Sequence, residues 1–543
     1  MPTLQFKGKN IIWNHHLSIP YHTLDEVEKL NYQPEKADGN LIIEGDNLLA
    51  LKALLPQYAG KVKCIYIDPP YNTGNEGWAY NDNVNSPMLK EWLGKEVGKD
   101  DLTRHDKWLC MMVPRLKLLR ELLADDGAIF ISIDENEQHH LRQIMNEIFG
   151  DENHVVSLIW AGRSGKGGTT KSVEYNHEYV EVFVKDILKL DVKPVVNIVE
   201  HGNYLDSQGN YKREQLRQWG QGDKRQDRPF MFFPIIAPDG NEVYPKRADG
   251  SDGRWRFGED SVRKMINSDD LDFVLIDGSW TIYRKIRVGK VNISANDSLL
   301  LYQGSASTGT IEIKRIFGDK VFDTVKPVSL IKHLIELATY NKKDSIILDS
   351  FAGSGTTMHA VMDLNKEDGG NRKCILIQMT EATAAEPEKN ICKDITRERV
   401  KRAIDKFGYD SGFQYFKVGI PIDAETLLSG NLPTYRQFAE YVYYLCTGES
   451  LKNKSAVNEK TYFVGEKGNS VIYLVYKQNF EKLTGMALNL SLAEKITAKN
   501  PKKKVIVYAP ACFLEEDYMN EKNIDYVGIP YNLFKREEQG GKS

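Results

Sequence analysis

The chain has 543 residues, of which 41% are hydrophobic and 27% charged, with a formal net charge of −4. That length exceeds one ordinary core and predicts two or three domains. The charge balance gives no overall pull toward nucleic acid, so any nucleic-acid surface must come from local clustering.

No apolar stretch approaches the about 18 residues of a membrane span, and none follows a basic start like a secretion signal. The six cysteines are scattered without a CxxC pair, so a cytoplasmic, metal-free protein is expected.

Residues 1–40 are mixed and polar and read as an arm over the body. Leu41-Ile42-Ile43 leads through Gly45-Asp46-Asn47 into a helical stretch, and Lys63 to Ile67 reads as a buried strand ending at Asp68. Residues 107–124 have helical spacing, stopped by Asp125-Asp126-Gly127; Ala128 to Ile133 is another strand, with a helix following to about Phe149. Tyr179 to Val184 gives one more strand. This alternation over 41–185 predicts an α/β fold with a doubly wound, mostly parallel sheet.

Over 186–320 the rhythm breaks into short strand-like pieces between Gly, Asp and Pro turns, as in an inserted domain. It resumes over 321–424, with a helix at 325–340, a strand at 345–348, a helix at 356–364, a strand at 374–379 and a helix at 395–407. Residues 425–543 form a last α+β module, with strands at 471–476 and 504–508.

Two motifs carry chemistry. Asp349 opens a turn containing Phe351, Gly353 and Gly355, and Thr356 starts a helix. Glycines admit close backbone approach, and the helix start favours an anion. A tight turn without a ligand gives the same pattern. Met358 breaks the dinucleotide G-x-G-x-x-G pattern and the triphosphate-loop lysine is missing, which leaves a different adenosine-bearing cofactor.

Asp68-Pro69-Pro70-Tyr71 is rarer. The prolines fix the backbone and remove two donors, so their carbonyls are pre-aimed acceptors. Asp68 adds a carboxylate and Tyr71 a flat ring, which suits an exocyclic amine on a base taken out of its stack. The plainer reading is a Pro-Pro strand end with Tyr71 filling a gap.

With Phe130 to Glu137, Asn176-His177-Glu178-Tyr179 and Lys326-Pro327, these motifs resemble the beta-class amino-methylating DNA methyltransferases, in which the acceptor loop precedes the donor loop. Within that class the chain is similar, over about residues 38–420, to the modification subunit of type III restriction-modification systems; Ile529-Pro530-Tyr531 fits the same resemblance.

The resemblance implies a circularly permuted S-adenosylmethionine-dependent methyltransferase fold. It implies transfer to N6 of adenine by base flipping in double-stranded DNA, with Asp68, Pro69, Pro70 and Tyr71 catalytic. Asp46, Lys326, Asp349, Phe351, Gly353, Gly355 and Thr356 would hold the cofactor. An acidic residue is expected after the next strand for the ribose, yet that strand ends at Gln378, leaving Gln378 or Glu381 for the role. Asp46 is equally consistent with capping the helix after it, Lys326 with a solvated helix start, and His177 with a satisfied histidine at a strand start.

The resemblance also makes 186–320 a target-recognition domain. It holds 21 Lys and Arg against 20 Asp and Glu. The basic groups bunch as Lys212, Arg213, Arg217, Lys224, Arg225 and Arg228, and as Arg284, Lys285, Arg287 and Lys290, candidates for DNA contact. Gly165 to Lys171 reads as a flap over substrate or a plain surface loop. A homodimer and a separate restriction subunit are the expected partners. The alternatives are a solitary adenine enzyme, an N4-cytosine enzyme and a non-catalytic specificity subunit.

Overall fold

A computed structural model describes residues 2–73, 101, 103–162, 175–382 and 386–529. Gly165 to Lys171 and Pro530-Tyr531 lie outside the described residues. Among the described residues, ten strands form one sheet. They are β1 (His22–Glu26), β2 (Leu41–Glu44), β3 (Val62–Ile67), β4 (Leu123–Ile133), β5 (His154–Trp160), β6 (Glu178–Val184), β7 (Leu299–Leu300), β8 (Ile346–Asp349), β9 (Lys373–Gln378) and β10 (Gln414–Pro421).

Their order is β1-β10-β2-β9-β8-β3-β4-β6-β5-β7. From β10 to β4 the strands run parallel. The antiparallel β6 lies between β4 and β5, and the antiparallel β1 closes the other edge. Residues 1–40 thus include a sheet strand, and Ile12, Ile19 and Tyr21 are buried in the core.

Alternation with period two puts successive side chains on opposite faces. Ile43, Ile65, Ile67, Ile129 and Ile131 enter one core, and Ile42, Cys64, Tyr66, Ala128 and Phe130 enter the other. The first core is covered by helices α1 (Asn47–Tyr58), α2 (Arg104–Leu122) and α3 (Gln138–Phe149). After α4 (Ala306–Phe317), the second is covered by α5 (Val328–Thr339), α6 (Thr356–Asp368) and α7 (Glu398–Phe407). The fold is α/β, doubly wound and mostly parallel. Asp125-Asp126-Gly127 does not lie between helix and strand but inside β4, which begins directly after α2.

Two compact units result, 1–193 with 297–543, and 194–296. The second is therefore narrower than the break in rhythm. β7 pairs in parallel with β5, and α4 begins at a Ser305/Thr308 capping box and stops at Gly318 in the left-handed conformation.

The C-terminal module shares the core of the first unit. In α8 (Tyr435–Thr447), Phe438, Tyr441 and Tyr444 are buried there, and the Tyr21 and Tyr441 rings are 4.5 Å apart. Beyond it a four-stranded sheet (Phe463–Lys467, Ser470–Leu474, Lys504–Ala509, Ile524–Gly528) has its own apolar face.

The second unit is built on an antiparallel sheet of Leu271–Ile276, Ser279–Arg287, Gly209–Gln215 and Tyr204–Asp206, with Leu216, Phe233, Trp255 and Ile282 in its core. Among the described residues no helix is long and apolar enough to cross a membrane.

Candidate active site

β3 and β8 are parallel neighbours, with Ile65 opposite Leu348. Their carboxyl ends therefore deliver Asp68 and Asp349 to the same edge of the sheet, where open α/β sheets place their ligands. β3 is buried along its whole length, which fixes the point at which Asp68 emerges.

The Tyr71 hydroxyl lies 2.8 Å from Asp68 Oδ1 and 3.1 Å from Glu178 Oε2. Lys326 Nζ donates to both Asp68 oxygens and to the Tyr71 hydroxyl, at 2.8 Å each, and stands 3.4 Å from Glu178 Oε2. Burial depresses the Lys326 ammonium, but Asp68 and Glu178 outweigh it and hold its pKa above the ordinary lysine value.

The Pro70 carbonyl accepts from the Trp108 indole at 2.7 Å. Trp108 is fully buried in α2. That carbonyl is an anchor, which leaves the Asp68 carboxylate and Pro69 carbonyl as the loop's groups for a ligand. Asn72 follows in the left-handed conformation (φ 59°) and is buried. Its amide donates to Glu137, whose two oxygens also meet His105 Nδ1 at 2.6 Å and His140 Nδ1 at 2.8 Å. The acceptor loop is thus pinned from α2 and from the start of α3.

On the other side, Asp349 accepts from the Phe351 amide at 3.0 Å and from the Thr357 hydroxyl. Burial pushes its pKa up to about 7, opposed by these bonds and reinforced by the nearby Asp68 charge. Gly353 and Gly355 take left-handed φ of 49° and 82°. A Cβ at Gly355 would stand 3.1 Å from the Thr396 carbonyl oxygen, so glycine is required twice over. The Gly353 amide donates to Gln378 Oε1 at 2.7 Å, and its carbonyl accepts from Thr396 at 2.6 Å. The result is a tightly held turn with bare backbone at the start of α6.

Comparison with known proteins gives the family. The N6/N4 methyltransferase family model, described as DNA methylase, matches residues 62–405. The chain belongs to the DNA methylase family. It is 36% identical to the EcoPI Mod subunit of a type III restriction-modification enzyme from Escherichia phage P1, over 67% of this chain and 61% of that one. It is 33% identical to the StyLTI Mod subunit of Salmonella typhimurium, over 73% and 63%. The match thus spans less than two thirds of each of these two relatives. It is also 32% identical to the type II methyltransferase M.KpnI of Klebsiella pneumoniae, over 73% of this chain and 94% of that enzyme.

In this member of the family the remaining expected residues fall into distinct places. Asp46 is the N-cap of α1, accepting from the Leu48 and Leu49 amides, with Arg115 3.5 Å away. Lys326 sits against the acceptor loop. The Gln378 side chain braces the glycine turn with its oxygen and donates to Glu381 Oε1 at 2.9 Å with its nitrogen. Burial raises the pKa of Glu381. Thr356 accepts from Arg399 at 2.6 Å, and Arg399, wholly buried beneath the turn, has its pKa lowered to about 10 by burial.

Trp108, His105, His140, Thr396, Arg399 and the Glu178 contact with Tyr71 and Lys326 are participants that sequence reading did not single out. Only Glu178 carried a signal, as part of Asn176-His177-Glu178-Tyr179.

Most basic residues of the second unit have acidic partners within it. Arg213 pairs with Asp272 at 2.6 Å, Arg217 with Asp223 at 3.8 Å, Arg225 with Asp252 at 3.0 Å and Arg284 with Glu214 at 3.7 Å. Lys285 and Arg287 share Asp206, at 2.8 and 2.9 Å. Lys212 and Arg228 are exposed. Lys212 and Arg213 line an open cleft of about 550 Å³ with Tyr204, Val274, Ile276 and Tyr283, and the Arg213 guanidinium lies 3.8 Å over the Tyr204 ring.

Proposed function

We propose that this chain transfers a methyl group from S-adenosylmethionine to N6 of adenine in double-stranded DNA, as the modification and recognition subunit of a type III restriction-modification system. The observation that carries this reading is the delivery of Asp68-Pro69-Pro70-Tyr71 and the Asp349–Thr356 turn by adjacent parallel strands. The turn suits the cofactor because Gly353 and Gly355 leave bare backbone at the helix start, where Phe351 and Thr356 also lie. Glu381, braced by Gln378, supplies a carboxylate for the ribose hydroxyls. Asp46 keeps its helix-capping bonds in this reading and contributes by fixing the loop after β2.

When bound, S-adenosylmethionine supplies an electrophilic methyl group. The chain's own work is to present the amine. Asp68 and the Pro69 carbonyl accept its two N–H bonds and aim the nitrogen lone pair, while the Tyr71 ring faces the base. As the nitrogen gains positive charge, the Asp68 carboxylate stabilises it. No covalent intermediate on the protein is needed.

Aspartate at position 68 favours adenine, since the resembling cytosine enzymes more often carry serine there. The unit at 194–296 serves as the target-recognition module, with the cleft around Lys212 and Arg213 as its leading DNA contact. A restriction subunit is a partner, in keeping with relatives named as Mod subunits of type III restriction-modification enzymes, and a second copy of the chain is the other. The test is expression in methylation-free cells followed by genome-wide mapping of modified bases. N6-methyladenine at one recurring sequence is expected, with loss in Asp68→Ala by at least about a hundredfold. N4-methylcytosine would overturn the adenine assignment, and an active Asp68→Ala would overturn the acceptor geometry.

A further inference from the structure

Asp68 accepts three hydrogen bonds in this structure. Both its oxygens accept from Lys326, and Oδ1 also faces the Tyr71 hydroxyl. One acceptor site on Oδ2 remains, but the Lys326 ammonium bridges both oxygens at 2.8 Å and occupies the carboxylate edge that an arriving exocyclic amine must approach, so that donor must give way. A second carboxylate is built in beside it. Glu178, buried on β6, has Oε2 3.1 Å from the Tyr71 hydroxyl and 3.4 Å from Lys326 Nζ.

The phenol has one proton, which can serve only one of the two carboxylates at a time. The ammonium likewise lies between them, closer to Asp68. Moving both donors toward Glu178 takes shifts of well under a side-chain length. The cluster of two carboxylates and one ammonium carries one net negative charge. That is the charge complement of an amine nitrogen becoming cationic.

We propose that Glu178 is a positioning residue that releases Asp68 for the target amine, by taking over the hydrogen bonds of Lys326 and the Tyr71 hydroxyl when the base enters. Lys326 is then a placeholder: in the resting site its ammonium fills the position of the amine. The proposal rests on the amino-methyltransferase reading above. It predicts an unusual pattern of coupling. Removing Glu178 alone leaves Lys326 locked on Asp68. Removing Lys326 alone leaves two facing carboxylates unneutralised. Removing both leaves a single carboxylate whose only remaining donor in this cluster is the Tyr71 hydroxyl.

The experiment is a double-mutant cycle on the full chain with Glu178→Ala, Lys326→Met and the double variant. Single-turnover methyl transfer is measured on duplex DNA carrying the mapped site, alongside S-adenosylmethionine affinity by calorimetry. Glu178→Ala is expected to slow transfer at least about tenfold with cofactor affinity little changed, and the double variant to be faster than Glu178→Ala. A merely structural role for Glu178 would not give that rescue.

A double variant as slow as the product of the single losses overturns the proposal, as does Glu178→Ala at the wild-type rate. So does a Lys326→Met whose loss lies in cofactor affinity, which would place Lys326 at the cofactor. If Glu178→Ala fails to fold, Glu178→Gln keeps the volume and one acceptor. It is expected to show a smaller loss, and a full rate would overturn the proposal. A wild-type chain that methylates no DNA removes the functional reading and this proposal with it. An active wild type with additive variants removes the proposal alone.

Discussion

Asp349 holds its proton longer in the folded chain than in the unfolded one, because burial raises its pKa from 3.8 to about 7. Between those values the folded state binds more protons, so this group's contribution to stability is full below about pH 4 and is lost as pH rises toward about 7. Asp134, raised to about 6 by burial, acts in the same direction. His359, kept neutral with a pKa lowered to about 3 by burial, acts oppositely. The diagnostic is therefore the difference between variant and wild type. Asp349→Asn keeps an acceptor for the Phe351 amide and removes the charge. In thermal denaturation it should gain on wild type at about pH 8 and gain little or nothing at about pH 4, with about 1.4 kcal/mol per pH unit as the upper slope. Equal effects at both pH values would show that Asp349 is not the titrating group.

At the scale of elements, the strands are legible because buried parallel strands are continuous apolar runs. β3 and β8 also end at residues whose types already suggest a site. What cannot be read from the sequence is pairing over distance. Trp108 meets a carbonyl 38 residues upstream, and Lys326 meets a carboxylate 258 residues away. Neither contact leaves a local pattern: a tryptophan on the apolar stripe of α2 looks like core, and a lysine before Pro327 looks like a helix start. The same limit hid the ends of the insert, since β7 is only two residues long.

The α2 contact can be tested directly. Trp108→Phe keeps most of the packing but leaves the Pro70 carbonyl without its indole partner, a cost of about 1–3 kcal/mol. Methyl transfer should slow while S-adenosylmethionine affinity stays near the wild-type value, because the donor turn is braced separately by Gln378 and Thr396. A parallel fall in cofactor affinity would mean that α2 supports both loops.

At the scale of the whole molecule, the two pieces after β10 and before β7 differ in what they contribute. The C-terminal module buries Phe438, Tyr441 and Tyr444 in the same core as α1 and α2, so it is part of the body's stability. The unit at 194–296 has its own core of Leu216, Phe233, Trp255 and Ile282. The chain leaving and re-entering the body is held independently of that unit: the Lys193 amide donates to the Leu337 carbonyl at 3.0 Å, and the Ile159 amide to the Ser298 carbonyl at 2.8 Å. Replacing 194–296 by a Gly-Ser linker should therefore leave a folded protein, at a loop-closure cost that varies only slowly with linker length. That protein should bind S-adenosylmethionine with near wild-type affinity in calorimetry and lose its preference for the mapped DNA sequence in competition binding. Retained sequence preference would move target reading to the body, and loss of cofactor binding would show that the unit supports the catalytic fold.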